Sequence, residues 1–534
     1  MPAVPTDPSA PHRGLGEADP HTAPPLDLTL SPLAAGDRKR LALLYDAIRA
    51  YAETFVGYPC NENFDYSPLY PFLAYPINNV GDPFAASTYR VNTREIERDV
   101  LEWFAELYHA EPGSYWGYVT NGGTEGNMYG LYLARELYPD GILYFSQDRH
   151  YSIDKIARVL NIEHHMIRSD DAGEMDYEDL DATLALNRDR PAIVLANIGS
   201  TMRQAVDSVS QIRACLEARG ISRRYIHCDA ALAGMILPFV DDAPEFDFRA
   251  GIDSLSVSGH KMVGSPMPCG IVLVRKEHVA RVATSVEYVG IMDTTLTGSR
   301  NGFSPLMLWY AIHSKTHAQL RAMVAECMAV ADYAVERLRA MDVPAWRHAH
   351  GITVVFPRPA KDVLEKWQIA VENDICHIIA MPHVDRALID RLAADIARAR
   401  VGRVVKQITI YTADKPGILA EVAGTLAEAG VDIETFDGET IGDRGILILT
   451  VDRYYEAVAA LRQAGFELVD SEAFLLRLPA RPGALAELAK RFKDASVNIK
   501  SLRLVGQEDG FSLAAMTTDN AAEAIELVRD VMIA

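Results

Sequence analysis

Ser256-Val257-Ser258-Gly259-His260-Lys261 follows the segment Ile252 to Leu255 and precedes Met262-Val263-Gly264-Ser265-Pro266. It reads as a strand end that breaks into a loop. A lysine placed there, in a section poor in charge, is either a solvated loop residue or an amine held for covalent work on a carbonyl. Ser258 and His260 favour the second reading, because both can bind a phosphate while Lys261 bonds to an aldehyde.

Outward from this stretch, residues 115 to 275 alternate strand-like and helix-like segments, the sign of an α/β fold with a mostly parallel sheet covered on both faces. The expected strands are Ile142 to Phe145, Ala192 to Ala196, Tyr225 to Cys228, Ser254 to Val257 and Gly270 to Val274. In open sheets of this kind ligands collect beyond the carboxyl ends of the strands. Three further groups fall at such ends. Thr120-Asn121-Gly122-Gly123-Thr124-Glu125-Gly126 opens a helix expected from Thr124 through Leu137. It is either a turn and cap or a cradle in which free amides, Gly123 and the Thr124 hydroxyl hold a phosphate. His150, in Asp148-Arg149-His150-Tyr151-Ser152, is either a structural cap or a ring stacked on a flat ligand. Asp229, in His227-Cys228-Asp229-Ala230-Ala231, either caps a following helix or faces a cation, since a carboxylate at a buried strand end needs a partner. Ala231 is small enough for a ring to lie flat against it. Together these groups supply a phosphate cradle, a stacking ring, an acid for a ring nitrogen and a lysine for an aldehyde, which is what pyridoxal phosphate requires.

From about Gly57 to Trp367 the chain resembles the pyridoxal-phosphate-dependent group II amino acid decarboxylases, in particular the bacterial histidine decarboxylase and plant serine decarboxylase branch. Tyr58-Pro59, Ile77-Asn78-Asn79, the run Trp116 to Asn127, His150-Tyr151-Ser152, Asn197-Ile198-Gly199, Ser258-Gly259-His260-Lys261 and Gly298-Ser299-Arg300-Asn301-Gly302 carry the resemblance. It implies a fold-type-I enzyme working as a homodimer with active sites at the subunit interface. By that likeness Lys261 holds the cofactor covalently, His150 stacks on its ring and Asp229 binds its nitrogen. Gly123, Thr124, Ser258 and His260 hold the phosphate, joined by Ser299 from the other subunit. Thr201 lies near the ring oxygen or the substrate carboxylate. Val286 to Gly298 matches the family's mobile loop, with Tyr288 as a candidate proton donor.

The substrate is read from the residues around these motifs. In the histidine and serine decarboxylase branch, the regions matching Ile291-Met292 and Phe303 usually carry polar or basic residues, often histidine; here they are apolar. Leu73-Ala74-Tyr75-Pro76, before Asn79, also departs from that branch. If Tyr75, Asn79, Ile291, Met292 and Phe303 line the pocket, an imidazole or hydroxyl loses about 1–3 kcal/mol per unmade bond. An aliphatic branched-chain substrate, valine or leucine, loses nothing. If these changes are packing behind the pocket, the enzyme is a histidine decarboxylase forming histamine, or a serine decarboxylase. An aminotransferase would share the cofactor site, and a non-enzymatic amino acid sensor would not need Lys261, Asp229 and His150 together.

The whole chain sets the bounds. Its 534 residues are enough for two to four domains, and Lys plus Arg 52 against Asp plus Glu 73 gives a net charge of −21. That balance argues against nucleic acid or an anionic membrane as partner. Six scattered cysteines have neither metal-site nor disulfide spacing, which points to reduced thiols, no metal and a cytoplasmic protein. Proline-rich residues 1–30 read as a disordered leader, and 31–90 as a helix plus an interface or substrate loop. Asn92 with Glu95 reads as a capping box for the next helix. The large domain is expected over 91–318 and a small domain over 319–403. After Arg403 a β-α-β-β-α-β pattern appears twice, over 404–470 and 471–534, with Pro-Gly at matching helix entries 483 − 417 = 66 residues apart. These two α+β ferredoxin-like units resemble tandem ACT domains, which implies an amino acid effector, with an oligomerisation module as the alternative. Gly417, Gly430 and Asp432 match the usual glycine-bearing loop, and Ala480 stands where the first unit has Asp414.

Overall fold

The apolar segments between residues 115 and 275 build one seven-stranded sheet. Its strands are β1 (Tyr115–Thr120), β2 (Ile142–Ser146), β3 (Glu163–Ile167), β4 (Ala192–Asn197), β5 (Arg224–Asp229), β6 (Ser254–Ser258) and β7 (Gly270–Arg275). They lie in the order β1-β7-β6-β5-β4-β2-β3. The pairs from β6 through β3 are parallel, while β7 runs antiparallel to both neighbours. Helices α1 (Ala35–Ala52) and α2 (Arg94–Leu107) precede this sheet. Helices α3 (Gly123–Leu137), α4 (Ser152–Val159), α5 (Tyr177–Leu186) and α6 (Val209–Ala218) connect its strands. The central strands are buried along their whole length, because alternate side chains enter two different cores. Leu143 and Phe145 of β2 pack with Leu133 of α3 and Ile156 of α4. Ile142 and Tyr144 pack on the other face with Phe104, Leu180 and Ile212.

The computed structural model describes residues 26–534 except 30, 87, 287–290, 402–407, 414, 416, 442–443, 452, 470–473, 480, 482, 496, 509–510, 519–523, 525–526, 529–530 and 532–534. Most of the leader, Tyr288, Asp414 and Ala480 therefore lie outside the described residues. The chain divides into two units, residues 1–401 and 402–534.

The first unit continues past β7 through the short hairpin β8 (Thr284–Val286) and β9 (Ile291–Asp293), then α7 (Phe303–His313) and α8 (His317–Arg339). Its small sheet joins β10 (Thr353–Pro357), β11 (Ala370–Glu372) and β12 (Ile375–Ile379) in the order β10-β12-β11. Helices α9 (Lys361–Lys366) and α10 (Arg386–Val401) belong to the same region. Helix α1 buries no residue, and Leu41, Leu44, Ile48 and Tyr51 form an exposed apolar stripe along it. The expected Asn92–Glu95 capping box is not formed. Asn92 Oδ1 instead accepts from the Arg94 amide at 3.0 Å, and the N-cap residue is Thr93, whose hydroxyl donates to the Gly302 carbonyl at 2.7 Å.

That bond belongs to a buried clamp. Glu97 and Arg300 form an ion pair whose side chains are 0% and 2% exposed. Glu97 also accepts from the Asn79 amide at 2.8 Å and the Val119 N–H at 2.9 Å, and Arg300 donates to the Gly81 carbonyl at 2.8 Å. The clamp ties the Asn78-Asn79 segment, α2 and β1 to the segment Gly298–Gly302. Removing one charge strands the other in the core. Glu97→Gln is therefore expected to cost about 3–5 kcal/mol of unfolding free energy, read as a lowered denaturant midpoint; an unchanged midpoint would contradict the clamp.

In the second unit β13 (Ile408–Ala413), α11 (Ile418–Glu428), β14 (Ile433–Ile441), β15 (Arg444–Val451), α12 (Tyr454–Gln463) and β16 (Glu467–Val469) follow one another. Their sheet order is β14-β15-β13-β16. A second sheet holds β17 (Phe474–Pro479), β18 (Ile499–Glu508) and β19 (Phe511–Thr518) in the order β17-β19-β18, with α13 (Ala484–Asp494) after β17. A fourth strand is not among the described residues of this second repeat. The repeat is physical as well as sequential: Gly417 and Gly483 both start their helices at φ 93°, a backbone that glycine adopts without strain.

Candidate active site

The strand order reverses between β2 and β4, since β3 lies outside β2 while β5 and β6 follow on the other side. That is the switch point at which ligands gather in such sheets. A cavity of about 200 Å³ opens there, lined by the ends of β4, β5 and β6, the start of α3 and the loop after β2. Gly123, Thr124, His150, Thr201, Asp229, Ala231, Ser258, His260 and Lys261 all line it. Nine residues spread over 139 positions of sequence (261 − 123 + 1) thus meet in one place.

Local chemistry explains the placement of each group. Gly123 lies so close to β6 that a Cβ there would stand 2.9 Å from the Ser258 hydroxyl. Beyond Ser258 the chain turns back, with the Gly259 N–H donating to the Cys269 carbonyl at 2.8 Å and the Ser265 N–H to Gly259 at 3.0 Å. His260 Nδ1 lies 2.9 Å from the Cys269 carbonyl. The Asn61 N–H donates to the Lys261 carbonyl at 3.2 Å and the Asn61 amide to Met262 at 3.2 Å, which fixes the backbone that carries the lysine.

Burial pushes the Lys261 ammonium below its ordinary range, while Asp229 and Cys60 pull it back up. A lysine so placed is closer to the neutral amine that attacks a carbonyl. Asp229 is 7% exposed. Its Oδ2 accepts from the Asn127 amide at 2.6 Å and its Oδ1 from the Ala231 N–H at 3.2 Å. Among the described residues no arginine or lysine forms an ion pair with it. His150 is lowered by burial first, with Asp229 opposing and Lys261 adding to the effect. Its Nδ1 lies 2.8 Å from the Ser152 hydroxyl.

Other candidates lie outside this cavity. Ser299 is exposed and its hydroxyl accepts from the Asn78 amide at 3.1 Å. Asn79 is fully buried, and its amide is spent on Glu97 and on the Thr93 N–H, so it does not line the cavity of its own chain. Tyr75 is 63% exposed. Phe303 packs in a small cluster with Tyr66 and Met307. The backbone of Ile291 and Met292 forms β9, but their side chains lie outside the described residues. Several lining residues escape a reading by motif chemistry. Ala370, His377 and Ile379 come from the distant small sheet. His377 sits between the Met202 and Gly57 carbonyls at 3.0 and 3.2 Å. Tyr58-Pro59 and Asn197, quoted as motif residues, also reach the cavity.

The sequence model of the pyridoxal-dependent decarboxylase conserved domain matches residues 71–345, and histidine decarboxylase of Mesorhizobium japonicum is 46% identical over 361 residues. That alignment covers 68% of this chain and 98% of the relative. The chain belongs to the pyridoxal-dependent decarboxylase family. Histidine decarboxylase of Pseudomonas entomophila is 45% identical over 367 residues, covering 68% of this chain and 91% of its own. Among solved structures, L-methionine decarboxylase from Streptomyces sp. 590 aligns with a TM-score of 0.64 at 28% identity, covering 70% of this chain and 98% of that one. Residues 406–454 match the ACT domain. The protein is thus a PLP-dependent amino acid decarboxylase, a carboxy-lyase, with an ACT-like region after its catalytic unit. Among the described residues no helix is long and apolar enough to cross a membrane.

The decarboxylase cavity suits pyridoxal phosphate. It presents a buried carboxylate with no ion-paired arginine or lysine among the described residues, a desolvated lysine, and a backbone cradle that a Cβ at residue 123 would fill. Burial also holds His227 down to about 4 from 6.5. A histidine depressed in the folded state adds stability above about pH 6.5 that is lost as pH falls toward 4, because the unfolded chain takes the proton first. The decarboxylase is therefore expected to lose up to about 3 kcal/mol over that window through this residue. His227→Gln should flatten the fall of Tm between pH 6.5 and 4; an equally steep fall in the variant would contradict the assignment.

Proposed function

We propose that this decarboxylase converts L-histidine to histamine and carbon dioxide. The observation that carries this reading is 45–46% identity over nearly the whole length of two histidine decarboxylases. When bound, pyridoxal phosphate supplies an electron sink for the pair left on Cα as carbon dioxide departs. In this reading Lys261 would hold the cofactor covalently through its buried amine. Asp229 keeps the ring nitrogen protonated, and His150 and Ala231 flank the ring. Gly123, Thr124, Ser258 and His260 take the phosphate, and Thr201 takes the ring oxygen or the substrate carboxylate. Ser299 acts on the site of a second copy, in a homodimer or a larger homo-oligomer, and Tyr288 is the candidate proton donor. The exposed apolar stripe of α1 supports that assembly.

A second reading starts from the sequence around the motifs. Met292 and Phe303 are apolar where the histidine branch usually carries polar or basic groups, and the 28%-identical structural relative is a methionine decarboxylase. An aliphatic substrate such as valine or leucine would suit those residues if they lined the pocket. Carbon dioxide and amine release from histidine, serine, valine, leucine, isoleucine and phenylalanine separates the readings. Selective turnover of histidine is expected, and selective turnover of valine or leucine would overturn it in favour of the aliphatic reading. The ACT-like region is read as a site for an amino acid effector. If so, one amino acid in the same panel will change kcat or KM without being consumed.

A further inference from the structure

Behind Asp229 a line of polar side chains crosses the core between α3, β5 and β6. Asn127, His227, Ser254, Ser256 and Tyr225 are each at most 2% exposed. Asn127 Nδ2 stands 2.6 Å from Asp229 Oδ2, and Asn127 Oδ1 stands 3.0 Å from His227 Nε2. His227 Nδ1 is 2.7 Å from the Ser254 hydroxyl, which is 2.9 Å from the Tyr225 hydroxyl. The Ser256 hydroxyl also bonds to Asn127 Oδ1.

The direction of every bond follows from one end. An ionised carboxylate only accepts, so Asn127 must turn its NH₂ group toward Asp229 and its carbonyl toward His227 and Ser256. Both of those must then donate, which places the His227 proton on Nε2. Nδ1 of a neutral imidazole accepts, so the Ser254 hydroxyl donates to it and in turn accepts from the Tyr225 O–H. The chain has one consistent polarity, from Tyr225 through Ser254, His227 and Asn127 to Asp229. Without it the Asn127 amide could rotate and set its carbonyl against the carboxylate.

Helix α3 is shaped to allow this line. A Cβ at residue 130 would stand 2.3 Å from His227 Nδ1, and one at residue 126 would stand 2.7 Å from the Ser256 Cβ. Gly126 and Gly130 thus let the helix settle on β5 and β6 at the depth where Asn127 reaches both His227 and Asp229.

We propose that Asn127, His227 and Ser254 are positioning residues, which lock the Asn127 amide so that its N–H holds Asp229 as the carboxylate that keeps the cofactor ring nitrogen protonated. The inference rests on the cofactor site proposed above and extends it to residues that do not touch the reacting atoms, His227 and Ser254. The loss of one hydrogen bond to a charged group corresponds to about a ten- to hundredfold change, expected in kcat rather than in KM.

The test uses full-length enzyme loaded with ¹⁵N-labelled pyridoxal phosphate, together with ¹⁵N-histidine spectra of the same chain without cofactor. Wild type should show a protonated ring nitrogen, and His227 as the Nε2–H tautomer even without cofactor. Ser254→Ala and His227→Leu should move the ring signal toward the unprotonated position and lower kcat. Ser254→Thr and His227→Gln, which keep a hydroxyl donor and an N–H donor respectively, should stay with wild type. An unmoved ring signal in Ser254→Ala, or an equal change in Ser254→Thr, would overturn the proposal, as would the Nδ1–H tautomer. If His227→Leu does not fold, the Ser254 pair decides alone. Failure of wild type to bind the cofactor would instead sink the underlying site.

Discussion

Lys261→Ala is expected to lower decarboxylation by about 10⁴-fold or more, the scale on which removal of a covalent catalytic group is felt. The loss should appear in kcat with every substrate of the panel, because the lysine acts on the cofactor and not on the side chain being recognised. Folding should be spared. The Lys261 side chain lines the cavity, forms no ion pair among the described residues, and is held through its backbone by Asn61, which alanine keeps. A variant with full activity would remove Lys261 from the mechanism, and one lacking activity because it is unfolded would show a lowered Tm.

Asp229→Asn should lower kcat by about 10²–10³-fold, the range for removing one preorganised charge from a dry site. The reason lies in what surrounds the carboxylate. Asp229 is buried with two N–H donors from its own chain, Asn127 and Ala231. An uncharged amide there loses the charge that a protonated ring nitrogen needs, and it also turns one of its donors against Asn127 or Ala231. The ring nitrogen of the loaded variant should be unprotonated by ¹⁵N NMR, a readout that a fault in packing would not produce. Near-normal kcat with a protonated ring would contradict the role.

Much of this was legible before any coordinates. The alternation of apolar strands and periodic helices told the layered α/β fold, since a strand buried on both faces must be apolar throughout, as in Ala192–Asn197. The four chemical groups were readable because each interrupts that apolar pattern at a strand end, where polarity is costly unless used. What could not be read was whatever depends on which distant segments touch. His377 and Ile379 reach the cavity from a small sheet more than one hundred residues downstream. Asn127 is legible as the end of the run Trp116 to Asn127, but its bond to His227 of β5 is not, because it depends on how closely Gly126 and Gly130 let the helix approach. Asn79 and Asn92 misled for a related reason: amide groups in a loop read equally as ligand contacts or caps, whereas the Asn79 amide is spent on Glu97 and Thr93, and Asn92 accepts from the Arg94 N–H. The ACT-like repeat was visible through Pro-Gly pairs at equal spacing, because a helix entered at positive φ needs glycine in both copies.

The substrate is the part of the account that sequence comparison and local chemistry weigh differently. Identity to histidine decarboxylases extends over 68% of the chain, whereas the aliphatic reading rests on the apolar character of Met292 and Phe303, of which Phe303 packs outside the cavity with Tyr66 and Met307. Carbon dioxide and amine release from histidine, serine, valine, leucine, isoleucine and phenylalanine decides between them and leaves the cofactor site aside.

The most direct test of the central claim is to reduce the purified, cofactor-loaded decarboxylase with borohydride, digest it and locate the pyridoxyl group by mass spectrometry. The account predicts the label on Lys261, in the peptide that follows Ser258-Gly259-His260. A label on another lysine, or none at all, would contradict it.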